Sequence, residues 1–313
     1  MSNGHRHAWA GLEGNEDRLA WIFGSSRSGS TWLLRMLSEL SGVVPIDDPH
    51  LGHHLGVWRP IPLAWAISEQ APELTTLTDL KESEPGYFFA ERHRDSWWQP
   101  LRALIFARFE AQQASVRRDN GAAPTYVVKE PGSQVAPLLM ELFPASKLIF
   151  LLRDGRDVVD SWLAAYSEGS WAIPGGAFPV APAGRLALIR WLSAVWVHRS
   201  RAVKHAYESH PDDARLLIRY EALREQTDRC LGEACELLGL DPGDLEQAVE
   251  RHRFEQVPAA ARGPREEVRI ARPGSWRENL SSEEQAAMHE VLGGTLEELG
   301  YGEARPRRRL AVA

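Results

Sequence analysis

Cysteine is almost missing from this chain, with Cys230 and Cys235 the only two thiols in 313 residues. Five positions apart in what reads as one helix, they fall on different faces, so the spacing argues against a disulfide. Buried thiols in a reducing, cytoplasmic setting are the expectation. Long apolar runs are missing as well. None nears the roughly 18 residues of a membrane span, and the polar, His- and Gly-rich stretch from Met1 to Asp17 lacks a signal-peptide core. There is no excess of positive charge: 36 Lys and Arg stand against 43 Asp and Glu, for a net charge of −7. That balance argues against a protein that coats nucleic acid, while leaving room for a local basic pocket. No internal repeat is visible.

What is present fits one large α/β unit. Hydrophobic residues make up 43% and charged residues 25%, and 313 residues can bury a sizeable core. Four short apolar runs read as buried strands: Leu19–Phe23, Tyr126–Val128, Lys147–Leu152 and Ala214–Glu221. Helical periodicity follows or separates them, at Trp32–Leu40, Gln99–Val116, Val135–Leu142, Arg185–Tyr207, Thr227–Leu238, Leu245–Arg251 and Ser281–Leu299. Strands alternating with helices predict a parallel sheet covered on both faces through right-handed crossovers. Ligands of such sheets collect beyond the carboxyl ends of the strands. Residues 1–18 are expected to be a flexible N-terminus, residues 19–302 a single domain and residues 303–313 a basic tail. Within the domain, 59–98 and 168–184 read as insertion or lid segments. Several of the twelve tryptophans fall in or beside them, and some of these could line an apolar acceptor pocket.

The run Gly24-Ser25-Ser26-Arg27-Ser28-Gly29-Ser30-Thr31 joins the first strand to the first helix. Glycines let backbone N–H groups converge, and a helix N-terminus adds partial positive charge, so this is a phosphate cradle. Gly24 and Gly29 have Walker A spacing, but Ser30 stands where a nucleotide triphosphatase needs Lys. The cation sits inside the loop, at Arg27.

Arg27-Ser28-Gly29-Ser30-Thr31-Trp32 resembles the 5′-phosphosulfate loop of sulfotransferases that use 3′-phosphoadenosine 5′-phosphosulfate (PAPS). Arg153, Gly155, Asp157 and Ser161 resemble that family's 3′-phosphate motif, Arg-x-Pro/Gly-x-Asp-x-x-x-Ser. Arg219-Tyr220-Glu221 resembles its Tyr-Glu-Asp segment, and the stretch from Arg269 to Arg277 its C-terminal loop, with Ile270 and Ala271 replacing Lys-Gly. Lys129-Glu130-Pro131 resembles the Lys-Asp-Pro of the tyrosylprotein enzymes. Because Pro131 occupies the place of the cytosolic enzymes' histidine, their histidine mechanism does not carry over.

The resemblance implies a P-loop-like three-layer α/β fold and in-line transfer of a sulfuryl group from PAPS to an acceptor hydroxyl, without a metal. Arg27 and Lys129 would stabilise the transferred group and the departing phosphate. Ser28, Gly29, Ser30 and Thr31 would hold the 5′-phosphate, while Trp32 and Tyr220 would meet the adenine. Arg153, Ser161, Arg269 and Arg272 would bind the 3′-phosphate. For the base, Asp48 stands where bacterial and tyrosylprotein-type enzymes carry an acidic residue. Glu130 is the rival and His50 the third candidate. The expected acceptor is a small-molecule or lipid-like alcohol, and a homodimer is left open. His50, His53 and His54 near Asp47 and Asp48 lack the spacing of a helical metal site. Two other readings remain at this point: a small-molecule kinase with a degenerate P-loop, and a nucleotide-binding protein without catalysis.

Overall fold

The apolar runs become strands because each is short, and those of Leu19–Phe23, Tyr126–Val128 and Lys147–Leu152 are buried on both faces, which suits the middle of a parallel sheet. In the computed structural model, residues 16–57, 61–62, 74–75, 86–113, 124–167, 170, 182–253, 256 and 272–302 are described. The strands are β1 (Leu19–Phe23), β2 (Val43–Asp47), β3 (Ile61–Pro62), β4 (Leu74–Thr75), β5 (Thr125–Lys129), β6 (Lys147–Leu152) and β7 (Arg215–Arg219). Five of them pair in parallel in the order β2-β5-β1-β6-β7, while β3 and β4 form a small antiparallel ribbon.

The helices are α1 (Ser30–Ser38), α2 (Leu51–His54), α3 (Arg94–Gln113), α4 (Ala136–Leu142), α5 (Gly155–Ala165), α6 (Pro182–Ser209), α7 (Tyr220–Glu225), α8 (Thr227–Leu238), α9 (Leu245–Arg251), α10 (Trp276–Asn279) and α11 (Ser282–Glu298). Side-chain alternation sorts them into two outer layers. Leu19, Trp21 and Phe23 of β1 and Leu148, Phe150 and Leu152 of β6 face a core shared with α3, α4, α5, α6 and α11. The residues between them, Ala20, Ile22, Ile149 and Leu151, face a second core with α1, α8 and α9. This is the three-layer arrangement that the strand and helix periodicities predict.

The sheet has one strand more than the four expected. Val43-Val44-Pro45-Ile46-Asp47, outside those four runs, pairs along β5 as an edge, where a proline is tolerated. The pairing sets Asp47 opposite Lys129. β7 stops at Arg219, and Tyr220 opens α7 instead of extending the strand. α3 begins at Arg94, earlier than Gln99, so Trp97 and Trp98 ride on this helix. The N-terminus through residue 15, most of the 59–98 and 168–184 segments, Arg269 and the basic tail lie outside the described residues.

Trp21 anchors the larger core. It is fully buried, stacks on Phe23 with ring centroids 5.8 Å apart and meets Phe109 and Phe143. Its indole N–H donates to Ser146 Oγ at 3.1 Å, which satisfies the one polar atom it carries inside. At the far end of the chain, α11 starts with the capping box that Ser281 and Glu284 predict: each side chain bonds the other's backbone N–H. Replacing Trp21 with Ala should cost about 3–5 kcal/mol of stability. Urea unfolding would measure it, and an unchanged midpoint would contradict this account of the core.

Candidate active site

Every strand of the large sheet runs the same way, so the residues after β1, β2, β5, β6 and β7 meet at one edge. The loop after β1 owes its path to two glycines. Gly29 has φ +93°, and a Cβ there would fall 2.7 Å from Tyr220 Cδ2. A Cβ on Gly24 would fall 2.3 Å from the Leu151 carbonyl oxygen. Between them Arg27 takes a left-handed conformation, φ 72°, unusual for a residue with a side chain. Gly29 is the N-cap of α1, and no side chain caps that helix start. The N-terminal N–H groups, including those of Ser30 and Thr31, therefore face a place suited to an anion.

Arg153, the residue after β6, reaches back to this loop. Its Nη1 donates to the Arg27 carbonyl at 2.7 Å, and its guanidinium lies 4.3 Å from the Tyr220 ring centroid. Arg27 in turn donates through Nε to Ser161 Oγ at 3.1 Å. The loop arginine, the motif arginine and the motif serine thus form one cluster. Tyr220 is buried between Gly29 and Arg153, forming the floor of the loop. Arg153 Nε, Ser25 Oγ and Ser28 Oγ are buried without a hydrogen-bond partner. Unpaired polar atoms in a buried site are costly unless something else supplies their partners.

On the other side of β1, Lys129 at the end of β5 is nearly buried. Its ammonium donates to Thr31 Oγ1 at 2.8 Å and pairs with Asp47 at 2.6 Å and Asp48 at 3.1 Å. Asp48 and His50 both have positive φ, 49° and 55°, and they bracket Pro49. A residue before proline normally prefers extended backbone, so this turn holds strain of the kind found at ligand sites. Among the described residues, no three His, Cys, Asp or Glu side chains gather as a metal-binding group.

Glu130 occupies a different environment from Asp48. It is 1% exposed. Its two oxygens accept from the backbone N–H groups of Leu51 and Gly132, each at 2.8 Å. Burial pushes its carboxyl above the ordinary range, against the pull of those N–H groups and of the nearby His50. The carboxylate is therefore engaged in holding the start of α2. Asp48 is exposed on the sheet edge beside the ammonium. His50, also exposed, sits at the N-cap of α2.

Two expected contacts have other partners in this structure. Trp32 donates its indole N–H to the His252 carbonyl at 2.8 Å, which ties α1 to the end of α9. Arg272 is paired with Glu278 on an exposed face. The segment that carries Arg272 is nevertheless docked close to Arg153. Asp157 accepts the Gly274 N–H at 2.8 and 3.1 Å, and Asp160 accepts from Ser275 at 3.2 Å and from Asn279 at 2.9 Å.

A profile described as the sulfotransferase family matches residues 20–244. The chain belongs to the sulfotransferase family. No curated protein sequence matches it. Its fold is similar to that of mouse sulfotransferase SULT7A1 complexed with PAP, at 13% identity and TM-score 0.54, covering 95% of this chain and 92% of that one. It is similar also to sulfotransferase STF9 from Mycobacterium avium, at 13% identity and TM-score 0.53, covering 94% and 79% of the two chains. Membership supports a transferase whose P-loop-like sheet carries the loop at Arg27.

Two residues of this site, Asp160 and Arg199, stand at no specified motif position in the sequence. Asp160 and Asp157 anchor the C-terminal segment, and Arg199 on α6 reaches Ser26 of the loop. Asp157 lies inside the Arg153 motif, yet its partner is 117 residues away. Burial pushes its carboxyl up, while the Gly274 N–H and Arg153 pull it down. Replacing Asp157 with Ala should release the Gly274 N–H, with hydrogen exchange there accelerating by about tenfold or more. Exchange in β6 should stay as it was, and equal protection of Gly274 in the variant would refute the anchoring role.

Proposed function

We propose that this sulfotransferase-family chain transfers a sulfuryl group from PAPS to the hydroxyl of a small-molecule or lipid-like acceptor. The observation that carries this reading is the Arg27–Arg153–Ser161 cluster beside an uncapped helix start. A nucleotide with phosphates at its 3′ and 5′ positions presents two anionic ends, and the chain offers guanidinium groups and open N–H groups on one continuous surface. The orphaned Arg153 Nε and Ser28 Oγ fit such a ligand, since both are buried polar atoms that a phosphate oxygen would satisfy. Similarity in fold to the mouse protein crystallised with PAP points the same way.

PAPS supplies an activated sulfuryl group whose leaving phosphate gains negative charge during in-line displacement. Arg27 and Lys129 are placed to stabilise that charge as fixed cations, the role a divalent ion plays in phosphoryl transfer. Ser28, Gly29, Ser30 and Thr31 hold the 5′-phosphate end, and Arg153 with Ser161 holds the 3′-phosphate end. Arg272 and Arg269 are proposed to add to the latter when the C-terminal segment engages ligand. Tyr220, against Gly29 and Arg153, is proposed to meet the adenine, and Trp32 is proposed to join it although its indole N–H bonds His252 here. Asp48 is the proposed base: it is exposed, it sits at the strand edge and Lys129 orients it. Glu130, with both oxygens on backbone N–H groups, supports the neighbouring turn instead.

Calorimetric titration tests the donor assignment. The protein should bind 3′-phosphoadenosine 5′-phosphate (PAP) and not ATP with Mg²⁺, and the reverse preference would favour a kinase. Arg153→Ala should weaken PAP binding by about a hundredfold while the melting curve stays cooperative. Equal affinity would remove the 3′-phosphate assignment. With an acceptor found by library screening, turnover should persist in EDTA. Asp48→Asn should then lower kcat by about a hundredfold or more with PAP affinity unchanged. A fully active Asp48→Asn enzyme would return the base role to Glu130 or His50.

A further inference from the structure

Ser26 precedes Arg27 in the loop, and its partner comes from 173 residues further along the chain. Arg199 on α6 donates through Nη1 to Ser26 Oγ at 3.0 Å and through Nε to Gln134 Oε1 at 3.1 Å. Gln134, just before α4, is fixed in turn by donating to the Val57 carbonyl at 3.1 Å. Arg199 is 5% exposed, and the Trp162 ring centroid lies 5.8 Å from its guanidinium carbon. The cation is thus held from two directions within the core, while Ser26 is half-buried. A serine hydroxyl has one proton and two lone pairs. When a guanidinium occupies a lone pair, the proton is left to donate elsewhere, and the cation's pull makes it a stronger donor. Among the described residues, nothing accepts that proton.

We propose that Arg199 is a positioning residue of the nucleotide loop. It orients and polarises Ser26 so that the Ser26 hydroxyl donates to an anionic oxygen at the 5′ end of the bound nucleotide. This rests on the donor reading given above. Arg suits the task better than Lys, because a planar fork reaches Ser26 and Gln134 at once and an ammonium on a flexible stem does not. The interaction spans 173 residues of sequence and ties α6 to the loop.

The test uses calorimetry on the full chain with three probes: PAP, adenosine 5′-phosphate and adenosine 3′-phosphate. Wild type is measured first, and failure to bind PAP would overturn the donor reading and this inference with it. Arg199→Lys keeps the charge and should weaken PAP and adenosine 5′-phosphate by about tenfold, the loss of one charge-assisted hydrogen bond. Adenosine 3′-phosphate should bind as before, a selectivity that general loosening of the core would not produce. Ser26→Ala should reproduce the loss, and the Arg199→Lys/Ser26→Ala double variant should bind no worse than Ser26→Ala alone. Wild-type affinity in both single variants, multiplicative losses in the double variant, or equal losses for the two monophosphates would each overturn the proposal. Should Arg199→Lys fail to fold, Ser26→Ala decides: undiminished binding of adenosine 5′-phosphate overturns it, and selective loss of that ligand supports it.

Discussion

One ammonium group ties the two halves of this site together. Lys129 Nζ sits between Thr31 on the loop helix and the Asp47–Asp48 pair at the sheet edge, so a single charge fixes both. Its own position follows from register, because β5 is paired on both sides and sets Lys129 opposite Ile22 and Asp47. A charge this deeply placed needs close partners, since desolvation is repaid only by good geometry and hydrogen bonds. The carboxylates and the threonine hydroxyl provide them, and the loop is oriented in the process.

The same logic runs along the rest of the edge. Arg153 is kept in place by the Arg27 carbonyl, the Tyr220 ring and the nearby charge of Asp157. Asp154 pairs with Arg156 beside it, inside the fold, and caps α5 through the Arg156 N–H. Acidic groups therefore accompany the arginines that follow β6, Asp154 on Arg156 and Asp157 near Arg153. A chain with net charge −7 can in this way carry a concentrated cationic site. The flanking cores make the platform stiff: alternating strand residues lock the sheet between two layers, so the ends of the strands hold their spacing.

Much of this was legible from local pattern. The loop from Gly24 to Trp32 and the motif from Arg153 to Ser161 are each continuous in sequence, and strand-then-helix periodicity marked where they stand. The fifth strand was harder to read, because Pro45 and two aspartates interrupt its apolar character and only pairing with β5 gives it order. Glu130 and Asp48 were near-equal candidates in the sequence. Burial and two backbone N–H donors separate them, and neither can be seen before the turns at 48–52 and 130–132 are packed together. Trp32 and Arg272 likewise carry motif positions whose side chains bond elsewhere in this structure, to His252 and Glu278.

By itself the sequence determined the layers, the order of the motifs and the absence of a Walker lysine, since these depend on periodicity and on neighbours within about ten positions. Tertiary structure alone decided which groups share a surface. Arg27 meets Ser161 across 134 residues, Ser26 meets Arg199 across 173, and Asp157 meets Gly274 across 117. The reason is that a parallel sheet collects distant strand ends at one edge, and their order there is set by which strands hydrogen-bond, not by chain distance.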